Sequence, residues 1–429
     1  MKYTKKKLAS SIMAAVMAST MFTACDKADK KKNRKETETT TVETYKLPNL
    51  TRKAVKVDDE INSRSVNGYT NFSIELLKNS YEGTNTMISP LSVVGALGMT
   101  MNGADNNTLV QMEEMFGMSL EEVNTLMYLY NDVYSSDEIC QANKIFLNSL
   151  NEYELKEEFR QNIIDYYNSD IQVGLFGPEI INDINEFVYE NTNHRIETII
   201  EDLNPDAELV LVNALTFDAE WETKFESDRV HDRDFLLDDG STITVSMMYN
   251  EEYGSYFAGD NEKGFIKKYE GGKYAYVAFR PDDGISMEEY LSTMTADEVY
   301  DLINSAYDKV NIGLPSYESD YGTSLAPALK KMGMTDAFID TAADFTKMVS
   351  KGDADVELVI DDVIHKSYIK VDTEGTQAAA ATAVIMKDAA CCEPEEIKYV
   401  TLDRSFVYMI IDCDTNMPVF TGVYNGVEM

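Results

Sequence analysis

The chain has 429 residues, 44% of them hydrophobic, enough apolar material for a large core, which excludes disorder throughout. Against 38 basic side chains stand 75 acidic ones, a formal net charge of -37 that would repel a phosphate backbone and so argues against nucleic acid as a partner. The three histidines, His194, His231 and His365, and the five cysteines, Cys25, Cys140, Cys391, Cys392 and Cys413, follow no metal-site spacing and no disulfide framework, so neither a metal nor another cofactor is expected.

The first residues carry Lys2 and Lys5-Lys6-Lys7, an apolar run from Leu8 to Met21, then Phe22-Thr23-Ala24-Cys25. A basic region, an apolar region too short to span a bilayer and small residues before a cysteine resemble a bacterial lipoprotein signal. That resemblance implies removal of residues 1–24, lipidation of Cys25 and anchorage at the extracytoplasmic face of the cell membrane or at the cell surface, with release as a further fate. An ordinary secretory signal, cut elsewhere and leaving Cys25 incidental, is the alternative. Residues 25–60 are rich in Lys, Glu and Thr and read as a flexible tether. Its basic half could also touch anionic headgroups.

From Ile61 to the end the apolar periodicity is unbroken, with no long Pro/Gly linker and no repeat, so residues 61–429 are expected to form one domain. Leu76 and Leu77, then Leu155, Phe159, Ile163 and Tyr166, then Ile180, Ile184, Phe187 and Val188 fall at helical spacings. The run Leu209 to Leu215, within 208–217, is apolar on both alternating faces, as a strand covered on both sides should be. Further strands are expected at 274–279, 310–314 and 357–371, and in the pair 406–412 and 418–424 joined by a turn at Asp414-Thr415-Asn416. The class is α+β with extensive sheets.

Catalytic signatures are missing. The chain has no Gly-x-Ser-x-Gly elbow, phosphate-binding Gly loop, dinucleotide fingerprint or His-Glu-x-x-His motif. Pairs of carboxylates carry no weight in so acidic a sequence. The chain is not read as an enzyme.

After Tyr368-Ile369-Lys370-Val371 comes the most informative stretch, Asp372 to Met386. Its alanines favour a surface helix. Val384-Ile385-Met386 and the threonines favour a strand, in which Thr376, Ala378, Ala380, Thr382, Val384 and Met386 share one uncharged face. A segment with such a face can enter a sheet without burying an unpaired ion.

Glu374-Gly375-Thr376-Gln377-Ala378-Ala379-Ala380-Ala381-Thr382, preceded by Val363-Ile364-His365-Lys366-Ser367, resembles the reactive-loop hinge of the inhibitory serpins, a family of serine protease inhibitors. Ile88-Ser89-Pro90-Leu91-Ser92, Asn102-Gly103-Ala104, Val212-Asn213-Ala214-Leu215-Thr216-Phe217 with Trp221, and Pro418-Val419-Phe420-Thr421-Gly422 extend the resemblance over nearly everything from about residue 61. It implies the serpin fold, with three β-sheets, about nine α-helices and an exposed reactive loop at about 374–393. It also implies a single-use mechanism, in which a protease acylates the loop, the loop inserts into the central sheet and the trapped enzyme is distorted. About 15 inserted residues, each adding a net 0.5–1.5 kcal/mol of hydrogen bonding, would stabilise the inserted state by on the order of 10 kcal/mol.

By the same resemblance Ser89, Ser92, Asn213 and His365 would form a polar cluster, the shutter, beneath the place where the sheet parts, and Trp221 would mark the top, where insertion begins. A histidine on an apolar face and a lone tryptophan are more often plain structural residues. Glu374, which in some serpins pairs with a lysine after a Leu-Pro, faces a departure here, because Leu314-Pro315 is followed by Ser316. Counting from the hinge puts the reactive bond at Ala389-Ala390, whereas counting back from Leu402-Asp403-Arg404-Ser405-Phe406 puts it near Cys391-Cys392. Either leaves a small residue before the bond, which suits elastase-like serine proteases, while Lys387 lies too near the hinge for trypsin-like ones. The expected partners are thus elastase-like serine proteases and, through Cys25, a membrane, with the protein itself a monomer. The alternatives are a non-inhibitory binding protein of the same fold, an inhibitor of cysteine proteases, and a solute-binding lipoprotein.

Overall fold

The computed structural model describes residues 47–57, 60–376 and 398–426. These residues contain nine α-helices and three β-sheets, and all of them belong to one compact unit, Thr44–Met429.

The central sheet is built around Leu209–Phe217, every residue of which is buried. Its even positions Val210, Val212 and Ala214 pack with Ile180, Ile184 and Val188 of the helix Pro178–Asn191. The odd positions Leu209, Leu211, Leu215 and Phe217 join the main core with Leu91, Val94 and Leu97 of the helix Pro90–Met101. That second helix is apolar on all sides and wholly buried, and Ser89 caps its first turn by accepting the Ser92 N–H. A strand covered on both faces has no solvated side, which is why its sequence is a continuous apolar run.

Ile139–Asn148 pairs antiparallel on one side of Leu209–Phe217. On the other side Ile360–Val371 pairs with it in parallel, His365 opposite Asn213 and Ser367 opposite Leu215. Tyr317–Ser324 closes that edge, antiparallel to Ile360–Val371. The two central strands therefore run the same way side by side, an arrangement less stable per residue than the antiparallel one and, among the described residues, the only long parallel pair in this sheet.

The nine-stranded sheet holds the expected strands as Tyr274–Pro281, Asp308–Pro315, Phe406–Asp412 and Met417–Tyr424. It also holds Val230–Leu236, Thr242–Ala258 and Glu262–Lys268, none of them singled out in the sequence. The turn between the last pair places Asn416 at φ 59°, a left-handed position that asparagine tolerates.

Two expectations are corrected. Leu155 stands in the short strand Glu154–Leu155, ahead of the helix Glu157–Tyr167 that carries Phe159, Ile163 and Tyr166. The expected tether over 25–60 ends early, because residues 47–57 are bound against that helix. Arg160 donates to the Pro48 carbonyl at 3.0 Å, Gln161 to the Thr51 carbonyl at 3.1 Å, and Arg52 pairs with Asp132 at 2.9 Å. The backbone of this stretch finds partners in the domain, which its polar composition did not disclose. Residues 1–24 and Cys25 lie outside the described residues.

Candidate functional site

One rung of the central sheet is polar across three strands: Asn143 stands opposite Asn213, and Asn213 opposite His365. The strand Ile360–Val371 buries its odd positions, so Val363, His365, Ser367, Ile369 and Val371 share the inner face. His365 is fully buried there, its Nδ1 at 2.5 Å from Asn213 Oδ1 and its Nε2 2.7 Å from the Ser367 hydroxyl. Asn213 directs its amide N–H to the Ile364 carbonyl, so its oxygen faces the ring and Nδ1 carries the proton. Nε2 then accepts from Ser367 and, at 3.3 Å, from the Ser89 N–H. Ser92 extends the network by donating to Asn143 at 2.6 Å. Burial pulls the imidazole down to about 3 from 6.5, against a smaller upward pull from the Met87 backbone, so the ring is neutral at pH 7.

The structure thus brings Ser89, Ser92, Asn213 and His365 together, and adds Asn143 and Ser367. Ser367 could have been read from the period of two that put His365 on the Val363 face. Nothing in the sequence signals Asn143.

At the top of the same sheet the chain turns back on itself after Val371. Gly375–Thr376 pairs antiparallel with Val371 on one side and with Ala219–Glu220 on the other. This pair of residues thus lies between the end of Ile360–Val371 and the residues that follow Leu209–Phe217, running against both. Thr376 is fully buried, its hydroxyl 2.6 Å from that of Tyr269. Position 375 admits only glycine, since a Cβ would stand 2.2 Å from the Ala219 carbonyl oxygen and 2.7 Å from the Glu220 Cα.

The segment Trp221–Phe225 holds the turn. The Trp221 N–H donates to the Glu374 carbonyl at 2.9 Å, its indole N–H to the Asp372 carbonyl at 2.9 Å, and the Phe225 N–H to the Thr373 carbonyl at 3.0 Å. The indole is stacked on Tyr269, with centroids 4.5 Å apart. Glu374 pairs with Lys224 at 2.9 Å, and Lys224 also reaches Glu220 at 2.8 Å. These two carboxylates hold the Lys224 ammonium above its ordinary range. The departure noted at Ser316 is therefore made good by a lysine of the Trp221–Phe225 segment, while the Ser316 hydroxyl donates to the Val371 carbonyl at 3.1 Å.

Behind this segment lies an ion pair missed in the sequence. Lys267, with no exposed surface, stands 2.5 Å from Glu252, and burial pulls the lysine down and pushes the glutamate up, each opposed by the other's charge. Trp221, Glu374, Gly375 and Thr376 are thus assembled at one place. Gln377, Ala378, Ala379, Ala380, Ala381 and Thr382, with Ala389, Ala390, Cys391 and Cys392, lie outside the described residues. Among the described residues no group of three His, Cys, Asp or Glu side chains is arranged to hold a metal ion.

A family model described as "Serpin (serine protease inhibitor)" matches residues 67–426. An uncharacterized serpin-like protein of Thermococcus kodakarensis is 30% identical over 368 residues, covering 83% of this chain and 84% of its own. Neuroserpin of Mus musculus is 28% identical over 85% of this chain and 90% of its own. Among solved structures, the thermophilic serpin tengpin in its native state superposes with a TM-score of 0.82 at 37% identity, covering 88% of this chain and 98% of its own. Tengpin in its latent state superposes less closely, at 0.73.

Proposed function

Because the chain belongs to the serpins, a family of protease inhibitors, we propose that it inhibits serine proteases of elastase-like preference as a single-use substrate. The protease serine oxygen would form an ester with the carbonyl carbon before the reactive bond, Ala389-Ala390 or Cys391-Cys392. The peptide C–N bond would break and the new amino end would leave with a proton. The freed loop, still joined at Thr376, would then enter the central sheet before water cleaves the ester.

The observation that carries this reading is the placement of Gly375–Thr376 between Val371, at the end of one parallel strand, and Ala219–Glu220, just past the end of the other, antiparallel to both. An entering strand that continued from Thr376 would convert the one parallel pairing of Leu209–Phe217 with Ile360–Val371 into two antiparallel ones. Thr376 opens the uncharged face read from the sequence, Ala378, Ala380, Thr382, Val384 and Met386, so each following inward position would meet the core without an ion. The rung Asn143–Asn213–His365 crosses the seam between those strands, and we assign it the shutter role that the resemblance implies. For the leader we propose lipidation of Cys25 after removal of residues 1–24, which would put the inhibitor outside the cytoplasm.

Incubation with an elastase-like protease should give a covalent complex that survives denaturing electrophoresis, with the cut mapped by mass spectrometry to 389–392. Quantitative cleavage without any complex overturns the proposal. A melting temperature left unchanged by loop cleavage would turn the reading to a binding protein of the same fold.

A further inference from the structure

The segment Trp221–Phe225 must itself be held if it is to hold the turn at 372–376. Backbone bonds fix its first half: Glu222 N–H donates to the Lys268 carbonyl at 3.0 Å, and Trp221 bridges Tyr269. In its second half the Phe225 N–H bonds to the Thr373 carbonyl of the turn itself, and Lys267 reaches the segment from the neighbouring strand. Lys267 lies on the inner face of the strand Glu262–Lys268, two residues from the buried Phe265. Its ammonium donates to the Thr223 carbonyl at 2.6 Å, a closer contact than the Asn250 amide makes with the same oxygen at 3.4 Å. It also stands 5.3 Å from the Trp221 ring centroid and 4.5 Å from that of Phe225.

A lysine at zero exposure is a costly occupant of a core, and an apolar side chain of similar volume there is often neutral or stabilising. The contacts of this one converge on the segment that grips Asp372, Thr373 and Glu374. We propose that Lys267, fixed by Glu252, is a positioning residue for strand insertion, setting the Trp221–Phe225 segment in the geometry that registers the first residues of the incoming strand. Register is what such a grip controls, since a slip of one residue would turn the uncharged face outward and its neighbours inward.

The inference deepens the inhibitory reading and rests on it for its consequence, but the positioning itself can be measured separately. The K267M/E252Q pair removes both charges together, so that no unpaired ion is left buried. Hydrogen exchange of a peptide spanning 219–226 should speed up by tenfold or more in this variant, while peptides from 209–217 and 360–371 keep their protection. Against one elastase-like protease, the ratio of cleaved inhibitor to covalent complex should rise severalfold over the unaltered protein. Unchanged exchange at 219–226 overturns the positioning role, and so does faster exchange with an unchanged ratio. If the unaltered protein forms no complex, the inhibitory reading fails, and the exchange measurement alone decides whether Lys267 positions this segment. K267R, which keeps a cation over both rings, should restore most of the protection, whereas an effect of packing alone would leave it as fast as the paired variant.

Discussion

At His365 burial, outweighing the Met87 backbone, holds the ring neutral, with Nδ1 donating to Asn213 and Nε2 accepting from Ser367 and Ser89. The folded protein holds this imidazole near 3, whereas an unfolded chain binds the proton at about 6.5. The unfolded state therefore takes up the proton first as the pH falls. The stabilisation is fully present above about 6.5 and is lost from there down to about 3, by roughly 1.4 kcal/mol per pH unit. Denaturant unfolding at pH 7 and pH 5 should show a loss of about 2 kcal/mol in the unaltered protein that is absent in His365→Gln, after the lower starting stability of the variant is allowed for. A drop of equal size in both would assign the acid sensitivity to other groups. His365 was legible in the sequence because alternation with Val363, Ile369 and Val371 fixes its face. The partner of Glu374 was not, because Lys224 is 150 residues away and only the fold brings the two to 2.9 Å.

Among the elements, the clearest in sequence was Leu209–Phe217, whose unbroken apolar run follows from helices on both sides. Val230–Leu236 was silent for the opposite reason: His231 to Asp234 are all exposed, and the strand is held by backbone pairing to Thr242–Ala258, which no side-chain period reports. The stretch 47–57 was silent in another way. Charged and polar composition suggested a solvated arm, but tertiary hydrogen bonds outweighed composition. Arg160 is central to that attachment, with two bonds to Asp170 at 3.1 and 2.6 Å and one to the Pro48 carbonyl. Arg160→Met should lower stability by about 1–3 kcal/mol, since hydrogen bonds to a charged group are lost and Asp170 keeps partial access to water. It should also speed hydrogen exchange across 47–57. An unchanged exchange rate there would show that the segment is held by its other contacts.

For the molecule as a whole, a net charge of -37 means that folding gathers like charges into a small volume. Raising sodium chloride from 0.05 to 0.5 M should raise the melting temperature by several degrees, because the Debye length falls from over about 10 Å to a few ångström and repulsion weakens more than the scattered surface ion pairs do. A fall instead would mean that the ion pairs dominate. The α+β class with extensive sheets was legible because long apolar strands show locally, and the three-sheet architecture was legible through the resemblance of short motifs. The grip at the top of the sheet was not, because it joins 221–225, 252, 267 and 372–376, which meet only once the sheets are formed. One property of that grip reaches beyond stability. Trp221 is the chain's only tryptophan, and it lies under a lysine, against Tyr269, with its indole N–H on the Asp372 carbonyl. Light emitted by the protein on excitation at the red edge of its absorption therefore comes from the spot where the sheet would begin to part. Under the proposed mechanism that parting would be readable in a stopped-flow trace without any added dye.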